Sequence, residues 1–401
     1  MKVIHLISGG DSGGAKTHVL SLLTELNKSI TADLVCFMTG PFSQEAAELG
    51  IPLTVFDGSF ADSVRKVRKM VREGDYDLIH CHGARANLIG MLVRGTAGIP
   101  VISTVHSDYK LDYMGRPGAA LTYGRINAWA LRKLDYRVCV SDEMRRMLID
   151  RGFAPNRLFS IYNGIDFSKT PPKTDREKYF AEIGCKFPTD AVIAGIAARL
   201  DPVKDVGTLV RGFAAARAGC PKLRLMIAGD GMEMASLKTL AAELGVEDDV
   251  FFAGWVKDMP RFYGALDINT LTSLSETFPY AITEGARAHL PTVSSAVGGV
   301  PMLVKQGQTG MLFEPGDVQA LGEALEKLAG DGELRQRMGQ AIYDKGAAEF
   351  STETTCRTQL EIYRTVLERE RIRRQGGKNG VVICGAYGHG NAGDEAILEA
   401  I

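Results

Sequence analysis

Short apolar runs alternate with longer amphipathic segments from the first residue of the chain. Runs rich in β-branched residues predict strands, and the segments between them have the spacing of helices. In the first half, the predicted strands are 3–8, 32–37, 78–81, 101–105 and 136–140. The predicted helices are 14–28, 60–73, 84–97, 118–133 and 142–151. This alternation predicts a parallel sheet that is covered by helices on both faces.

The same alternation starts again after a charged segment with two prolines, 168–186, which we interpret as a linker followed by a short helix. Its predicted strands are 191–197, 223–228, 250–253, 268–271 and 292–295. Its predicted helices are 205–217, 232–244, 279–289 and 317–329, followed by a charged helical segment, 331–374. We therefore expect an α/β protein with two doubly wound, Rossmann-like domains, 1–168 and 169–374. Such domains bind ligands at the carboxyl ends of their strands, in the crevice between them.

Composition narrows the class of protein. The 401 residues suit two domains, and the net charge of −1 gives no reason to expect a nucleic-acid partner. Seven scattered cysteines without a CxxC pair are typical of reduced thiols, which predicts a cytoplasmic protein. We find no secretory leader and no run of 18 apolar residues, so we expect a soluble or peripheral protein.

Glycine pairs follow several predicted strands. Gly13 and Gly14 lie between the first strand and its helix, where backbone N–H groups could bind a phosphate. A tight strand-to-helix turn is the structural alternative. Gly229 follows a strand of the second domain, and Gly298 and Gly299 follow another. Each of these is a turn when it is considered alone.

Two cations follow the first strand of the second domain. Arg199 and Lys204 lie in the segment ARLDPVKD, at the strand end that faces the crevice. An arginine fork and a lysine point charge together suit a diphosphate. The alternative is a pair of solvated loop charges, and the strand-end position favours the diphosphate.

Two glutamates are separated by seven residues in the segment SETFPYAITE. Glu276 is expected in the loop after a strand, and Glu284 about one turn into the next helix. One carboxylate could then contact a sugar while the other binds a ribose diol. Backbone N–H groups near Phe278 and Tyr280 would face a diphosphate at the positive end of the helix. The alternative is that the two glutamates lie on an exposed helix face.

Histidines provide a further candidate group. His106 ends a strand and is expected to point into the crevice. His80 and His82 share one face of a strand, but no third ligand lies nearby in the sequence, so we expect no metal.

The segment 61–74 carries five cations and predicts a helix with one basic face. A solvated charged face is the simpler interpretation. Contact with anionic lipid head groups is the alternative.

In this order and spacing, the motifs resemble the GT4 family of retaining glycosyltransferases over residues 1 to about 370. The most specific segment is the one from Glu276 to Glu284, followed by PTVSSAVGGVP. The supporting segments are GGAKTHVLSLL, TVHSDY, VSDEM, YNGID, ARLDPVKD, GDG and TGMLFEPGD.

The resemblance implies the GT-B fold, in which two Rossmann-like domains face each other and the last helix packs back on the first domain. It also implies a nucleotide-diphosphate sugar donor, with UDP the expected nucleotide, that is held mainly by the second domain. The acceptor, a saccharide or a lipid-linked saccharide, would be held by the first domain. Arg199 and Lys204 would neutralise the leaving diphosphate, and Glu276 would contact the donor sugar. Glu284 would bind ribose, and His106 would line the sugar pocket. The family generally needs no metal or other cofactor.

The tail 375–401 starts with a linker and continues as VVICGAYGHGNAGDEAILEAI. It resembles the beginning of the polysaccharide pyruvyl transferase family. This resemblance suggests a role in cell-surface polysaccharide synthesis.

Three other interpretations compete with glycosyl transfer. A nucleotide-sugar epimerase shares the two-domain shape but acts on the donor alone. A non-catalytic domain could bind a sugar nucleotide and scaffold a pyruvyl transferase. A dehydrogenase is disfavoured because neither domain has a full GxGxxG motif after its first strand.

Overall fold

A computed structural model describes residues 1–10, 14–108 and 124–375. The first domain is built on a seven-stranded sheet in the order β3-β2-β1-β4-β5-β6-β7, in which all neighbouring strands are parallel. The strands are β1 (Lys2–Ile7), β2 (Thr31–Cys36), β3 (Leu53–Val55), β4 (Leu78–His82), β5 (Val101–Val105), β6 (Tyr136–Cys139) and β7 (Leu158–Ser160). The sequence did not predict β3 and β7. Both have three residues, which is too short for a periodic signal.

In the part of the chain that the structure describes, six helices between these strands cover both faces of the first sheet. They are α1 (Gly14–Leu26), α2 (Pro41–Glu48), α3 (Phe60–Glu73), α4 (Ala84–Ala97), α5 (Arg125–Lys133) and α6 (Asp142–Asp150). Helices α3 to α6 pack on one face and α1 and α2 on the other. Serines cap two of them, because Ser59 accepts from the Asp62 N–H and Ser141 from the Met144 N–H.

The second domain is built on a six-stranded parallel sheet in the order β10-β9-β8-β11-β12-β13. The strands are β8 (Val192–Ala197), β9 (Leu223–Ala228), β10 (Val250–Gly254), β11 (Ile268–Leu271), β12 (Thr292–Ser295) and β13 (Gly310–Phe313). In each sheet, chain order reverses beside the first strand of the domain. Both reversals open a crevice at the carboxyl ends of the strands, where open α/β sheets bind ligands.

The helices of the second half are α7 (Arg176–Ile183), α8 (Val206–Gly219), α9 (Met234–Glu243), α10 (Met259–Gly264), α11 (Tyr280–Arg287), α12 (Val300–Leu303), α13 (Val318–Gly330), α14 (Gly332–Glu349) and α15 (Thr352–Arg374). The segment 331–374, predicted as one helical stretch, is therefore two helices. The Ile165 N–H donates to the Phe350 carbonyl, the Thr352 N–H donates to the Ile165 carbonyl, and Ser351 caps α15. These bonds turn the chain between the two domains.

The last helix, α15, belongs to the packing of the first domain. Ile362, Tyr363 and Val366 are buried in the cluster formed by α1 and the first sheet. Tyr363 is fully buried although its side chain carries a hydroxyl, so that hydroxyl requires partners in the first domain. In the part of the chain that the structure describes, no helix is long and apolar enough to cross a bilayer.

Candidate active site

A cavity of about 870 Å³ lies between the carboxyl edges of the two sheets. Residues of both domains form its wall. The first domain contributes Gly10, Gly14, Lys16, Thr17, Pro41 and Glu45, and the second contributes Arg199, Gly229, Asp230, Trp255, Lys257, Tyr280 and Glu284 among others. The crevice that the strand order predicts is thus a real cavity of a size that small-molecule ligands occupy.

Gly14 begins α1 and faces the second domain. A methyl group at this position would lie 3.3 Å from the ring of Tyr280, so a larger side chain would push the two domains apart. Glycine therefore permits the close approach of α1 and α11 beside the cavity. Gly13, the other predicted glycine of this turn, lies outside the described residues.

Gly229 packs closely against the backbone of the segment that carries Arg199. Its φ is +136°, and a Cβ there would lie 1.8 Å from the Ala198 carbonyl oxygen, so no other residue fits without a backbone shift. The Gly229 N–H donates to the Gly254 carbonyl at 2.7 Å. Arg199 itself is 72% exposed and forms a 3.1 Å ion pair with Asp201. Its guanidinium therefore remains accessible to a ligand in the cavity.

Lys204 and Glu276 form an ion pair, with Lys204 Nζ 2.6 Å from Glu276 Oε1. The hydroxyl of Ser273 donates to the same oxygen at 2.6 Å. Both charged side chains are largely buried, at 20% and 11% exposure. Among the described residues, neither belongs to the wall of the 870 Å³ cavity. The structure thus brings these two predicted residues together, from the segments that follow β8 and β11.

The loop of Glu276 rests on the glycine turn after β12. Gly298 has φ +53°, and a Cβ there would lie 1.6 Å from the Glu276 carbonyl oxygen. On its other side, the Thr277 hydroxyl donates to the carbonyl of His106 in the first domain at 3.4 Å. The glutamate loop is thus held between a glycine of its own domain and a strand end of the other.

Phe278 is buried rather than exposed to the cavity. Its ring packs against Tyr162, with centroids 5.9 Å apart, and against Phe350, with centroids 5.4 Å apart. The side chain anchors the loop before α11. Tyr280, at the first position of α11, does line the cavity.

Glu284 lies on α11 and contributes its carboxylate to the cavity wall. Burial raises its pKa above the ordinary value, while a hydrogen bond from Tyr263 and the charge of Arg287 oppose the shift. A buried carboxylate beside a cavity is costly unless a ligand supplies hydrogen-bond donors. The position therefore suits recognition of hydroxyl groups.

His106 directly follows β5 and begins a chain of buried hydrogen bonds. Its Nε2 lies 3.2 Å from His82 Nδ1, and His82 Nε2 lies 3.0 Å from His5 Nδ1. His5 Nε2 lies 3.1 Å from the Tyr363 hydroxyl, which also lies 2.7 Å from His80 Nδ1. The chain ends where His80 Nε2 meets the Thr104 hydroxyl at 2.8 Å.

The four histidines of this hydrogen-bond chain stay neutral near pH 7. Burial lowers the pKa of His5 to about 3 and holds the pKa values of His80, His82 and His106 well below the ordinary value. A neutral imidazole donates through one nitrogen and accepts through the other, so the proton on each ring fixes the tautomer of its neighbour. The hydrogen-bond chain therefore couples the tautomer of His106 to those of the other histidines.

His5, His80 and His82 offer ring nitrogens within 4.8 Å of one another, which is close enough for a metal ion. Sequence reasoning found two of these residues but missed His5, because it lies on a different strand. Each ring nitrogen already has a hydrogen-bond partner in the chain described above. The group fits a neutral hydrogen-bonded network without rearrangement, whereas a metal would have to displace those bonds.

Most residues of the cavity wall were missed at the sequence level, Trp255 and Lys257 among them. Trp255 and Lys257 follow β10, and Trp255 is 75% exposed. The rule that located Arg199, that side chains after a parallel strand face the crevice, would have found both. The exposed indole offers a flat surface for a nucleobase, and Lys257 adds a cation at the same rim.

The fold agrees with comparisons to known proteins. Residues 177–345 match the family model of glycosyl transferases group 1, and residues 12–169 match that of Glycosyltransferase Family 4. The D-inositol 3-phosphate glycosyltransferase of Kribbella flavida is 28% identical over 400 residues, covering 90% of this chain and 92% of the relative. The protein of the same name from Corynebacterium glutamicum is 26% identical, covering 90% and 94%.

Solved structures share the fold. Anabaena HepE in complex with UDP-glucose superposes with a TM-score of 0.76 at 23% identity, covering 91% of this chain and all of HepE. Sucrose-phosphate synthase from Thermosynechococcus elongatus superposes with a TM-score of 0.73 at 19% identity, covering 92% of this chain and all of that enzyme. The chain is a glycosyltransferase with the GT-B fold.

Proposed function

We propose that the protein transfers a sugar, with retention of configuration, from a nucleotide-diphosphate sugar to a saccharide or lipid-linked saccharide. One observation carries this proposal: Gly14 of the first domain and Arg199, Gly229 and Glu284 of the second line a single cavity. A donor held by the second domain would then face an acceptor held by the first. The expected nucleotide is UDP, since HepE, which has the same fold, was solved with UDP-glucose.

In the proposed donor complex, each side chain has one role. Glu284 accepts hydrogen bonds from the ribose hydroxyls, and Arg199 and Lys204 neutralise the diphosphate. Glu276 contacts the donor sugar, and His106 lines the pocket of that sugar. Backbone N–H groups at the start of α11, beside Tyr280, add partial positive charge toward the diphosphate.

The reaction we propose is a front-face displacement. The bond between the anomeric carbon and the diphosphate oxygen breaks, and the acceptor oxygen bonds to the same face of that carbon. The departing diphosphate takes the proton of the acceptor hydroxyl. Fixed cations stabilise the charge that develops on the leaving group, so we propose that no metal or other cofactor takes part. Turnover that withstands EDTA is the expected result.

The proposal separates from its rivals in one experiment. The purified chain is first screened with UDP-, GDP- and ADP-sugars by thermal shift, because a ligand at 100 times its dissociation constant stabilises a protein by about 2.7 kcal/mol. The stabilising donor is then incubated with and without saccharide, lipid-linked saccharide and inositol phosphate acceptors. Product with the donor's anomeric configuration supports the proposal. Isomerised donor without acceptor indicates an epimerase, and binding without turnover over the whole panel indicates a scaffold.

We further propose a cytoplasmic reaction in cell-surface polysaccharide synthesis, with peripheral contact to the membrane. Among the described residues, the six cysteines form no disulfide, as expected of a reducing compartment. The tail that resembles a pyruvyl transferase lies outside the described residues, and the polysaccharide role that it suggests remains a prediction.

A further inference from the structure

Three neighbouring helices of the first domain carry an unusual concentration of positive charge. Helices α3, α4 and α5 contain ten arginines and lysines against two acidic residues, in a chain whose net charge is −1. Helices α4 and α5 contain no acidic residue at all. The two acids, Asp62 and Glu73, lie on α3, where Asp62 pairs with Arg65 and Lys66. The excess charge is therefore local to this part of the fold.

Large apolar side chains stand exposed among these cations. Trp129 is 52% exposed, Ile126 is 43% exposed and Leu92 is 42% exposed. On α5 the exposed residues are Arg125, Ile126, Trp129, Arg132 and Lys133, a spacing that places them on one side of the helix. The opposite side of α5 is buried through Asn127, Ala130 and Leu131. The outward side of α5 thus combines apolar and positive groups.

The three helices form one continuous surface. Helix α4 packs between α3 and α5 on the same face of the first sheet. The Arg68 guanidinium of α3 donates to the Leu92 carbonyl of α4 at 3.2 Å, which joins the basic helix to the apolar patch. A surface with exposed tryptophan and aliphatic side chains, flanked by arginine and lysine, matches the interface of an anionic bilayer.

We propose that the face formed by α3, α4 and α5 binds the surface of an anionic lipid bilayer. Helix α4 begins directly after β4, at the sheet edge where the cavity opens. Docking through this face would bring the cleft near the bilayer, where a lipid-linked acceptor lies. The inference specifies the peripheral membrane contact of the proposed function, and this last step also rests on the proposed transfer to a lipid-linked acceptor.

The test measures co-sedimentation of the full chain with vesicles, without donor or acceptor. The two vesicle types are phosphatidylcholine alone and phosphatidylcholine mixed with phosphatidylglycerol. We expect at least about tenfold stronger partitioning to the anionic vesicles, weakened by high salt because the attraction is partly electrostatic. Equal binding to both vesicle types, or no binding, would overturn the proposal.

Matched variants locate the surface. Ile126→Ser with Trp129→Ala removes the apolar groups, and Lys69→Glu with Lys133→Glu reverses charge on α3 and α5. The controls are Met232→Ser and the pair Lys186→Glu with Arg337→Glu, exposed positions of the second domain. We expect vesicle binding to be about tenfold weaker for each face variant and unchanged for the controls. Equal losses in controls and face variants would contradict the assignment, as would a dimer that the face variants dissociate.

The same samples separate this inference from the proposed function. Thermal shift with the donor and transfer to a water-soluble acceptor are measured on each variant. If vesicle binding fails while transfer persists, only the assignment of a lipid-binding surface is refuted. Vesicle binding that persists without any transfer defeats only the glycosyltransferase reaction as proposed.

Discussion

Lys204 and Glu276 are partners, with 2.6 Å between Lys204 Nζ and Glu276 Oε1. The sequence analysis assigns Lys204 to the diphosphate of the donor and Glu276 to its sugar, on the two sides of the bond that breaks. Their pairing means that a change at one residue also changes the charge environment of the other. The roles of the two residues must therefore be tested together.

Replacing Lys204 by methionine should lower kcat about 100-fold or more, because removing one preorganised electrostatic group commonly costs that much. The variant should also be less stable, since among the described residues Glu276 then keeps the Ser273 hydroxyl as its one side-chain partner in a largely buried position. Steady-state kinetics and urea unfolding measure the two effects. The double variant Lys204→Met with Glu276→Gln should regain stability but not turnover. Recovery of turnover in the double variant would show that the cation is structural.

Gly298→Ala should impair catalysis without touching any substrate contact directly. An added Cβ would lie 1.6 Å from the Glu276 carbonyl oxygen, and φ of +53° is strained for alanine. The glutamate loop must then shift away from Gly298 and toward the first domain. We expect kcat to fall about tenfold or more, with the same loss of donor affinity for every nucleotide tested. Gly316→Ala, at φ +79° with open space around it, controls for backbone strain alone.

Glu284→Gln should weaken donor binding by about tenfold while leaving kcat nearly unchanged. Glutamine keeps one acceptor oxygen but loses the charged pair of oxygens that suits a ribose diol, and charged hydrogen bonds contribute about 1.5–3 kcal/mol. Folding should not suffer, because burial already disfavours the charged carboxylate. Isothermal titration with the nucleoside diphosphate measures the affinity. An unchanged affinity for the nucleotide would remove Glu284 from the binding site.

Tyr363→Phe tests whether the hydrogen-bond chain fixes the tautomer of His106. The hydroxyl joins His80 to His5, so its loss leaves buried ring nitrogens without a partner. We expect a loss of about 1–3 kcal/mol in the free energy of unfolding. Changed ¹⁵N shifts of His106 and a lower kcat with unchanged donor KM should accompany that loss. Tyr343→Phe is the matched control, because the hydroxyl of Tyr343 on α14 donates to the carbonyl of Phe167 outside the histidine network. Normal His106 shifts in Tyr363→Phe would limit Tyr363 to a packing role.

Stability should fall as the pH drops below about 6.5. In the unfolded chain, histidines bind protons near that pH, whereas burial lowers the pKa of His5 to about 3 and that of His18 to about 4. The unfolded state therefore binds more protons between these limits, and each such histidine costs up to about 1.4 kcal/mol per pH unit. Urea unfolding from pH 7 to pH 4.5 measures the slope. His5→Gln should reduce the slope, and a slope that is the same in the variant would contradict the assignment.

The sequence alone determined the two parallel sheets and the edge at which the site lies. Strands of parallel sheets carry continuous apolar runs, and their carboxyl ends share one edge, so Arg199, Gly229 and Glu284 could be placed without coordinates. The same rule would have found Trp255. The short strands β3, β7 and β13 were missed, and so was the break between α14 and α15. Strands of three or four residues and a helix turn at Phe350 leave little periodic signal.

Only the tertiary structure decided which side chains meet. Lys204 and Glu276 are 72 residues apart, and His5 and Tyr363 are 358 residues apart. Local periodicity reports which face of an element is buried but not which distant element covers it. The position of α15 against the first domain therefore created the histidine chain, and packing of α3, α4 and α5 created the basic apolar face. Those contacts depend on how the elements pack, and no stretch of neighbouring residues encodes them by itself.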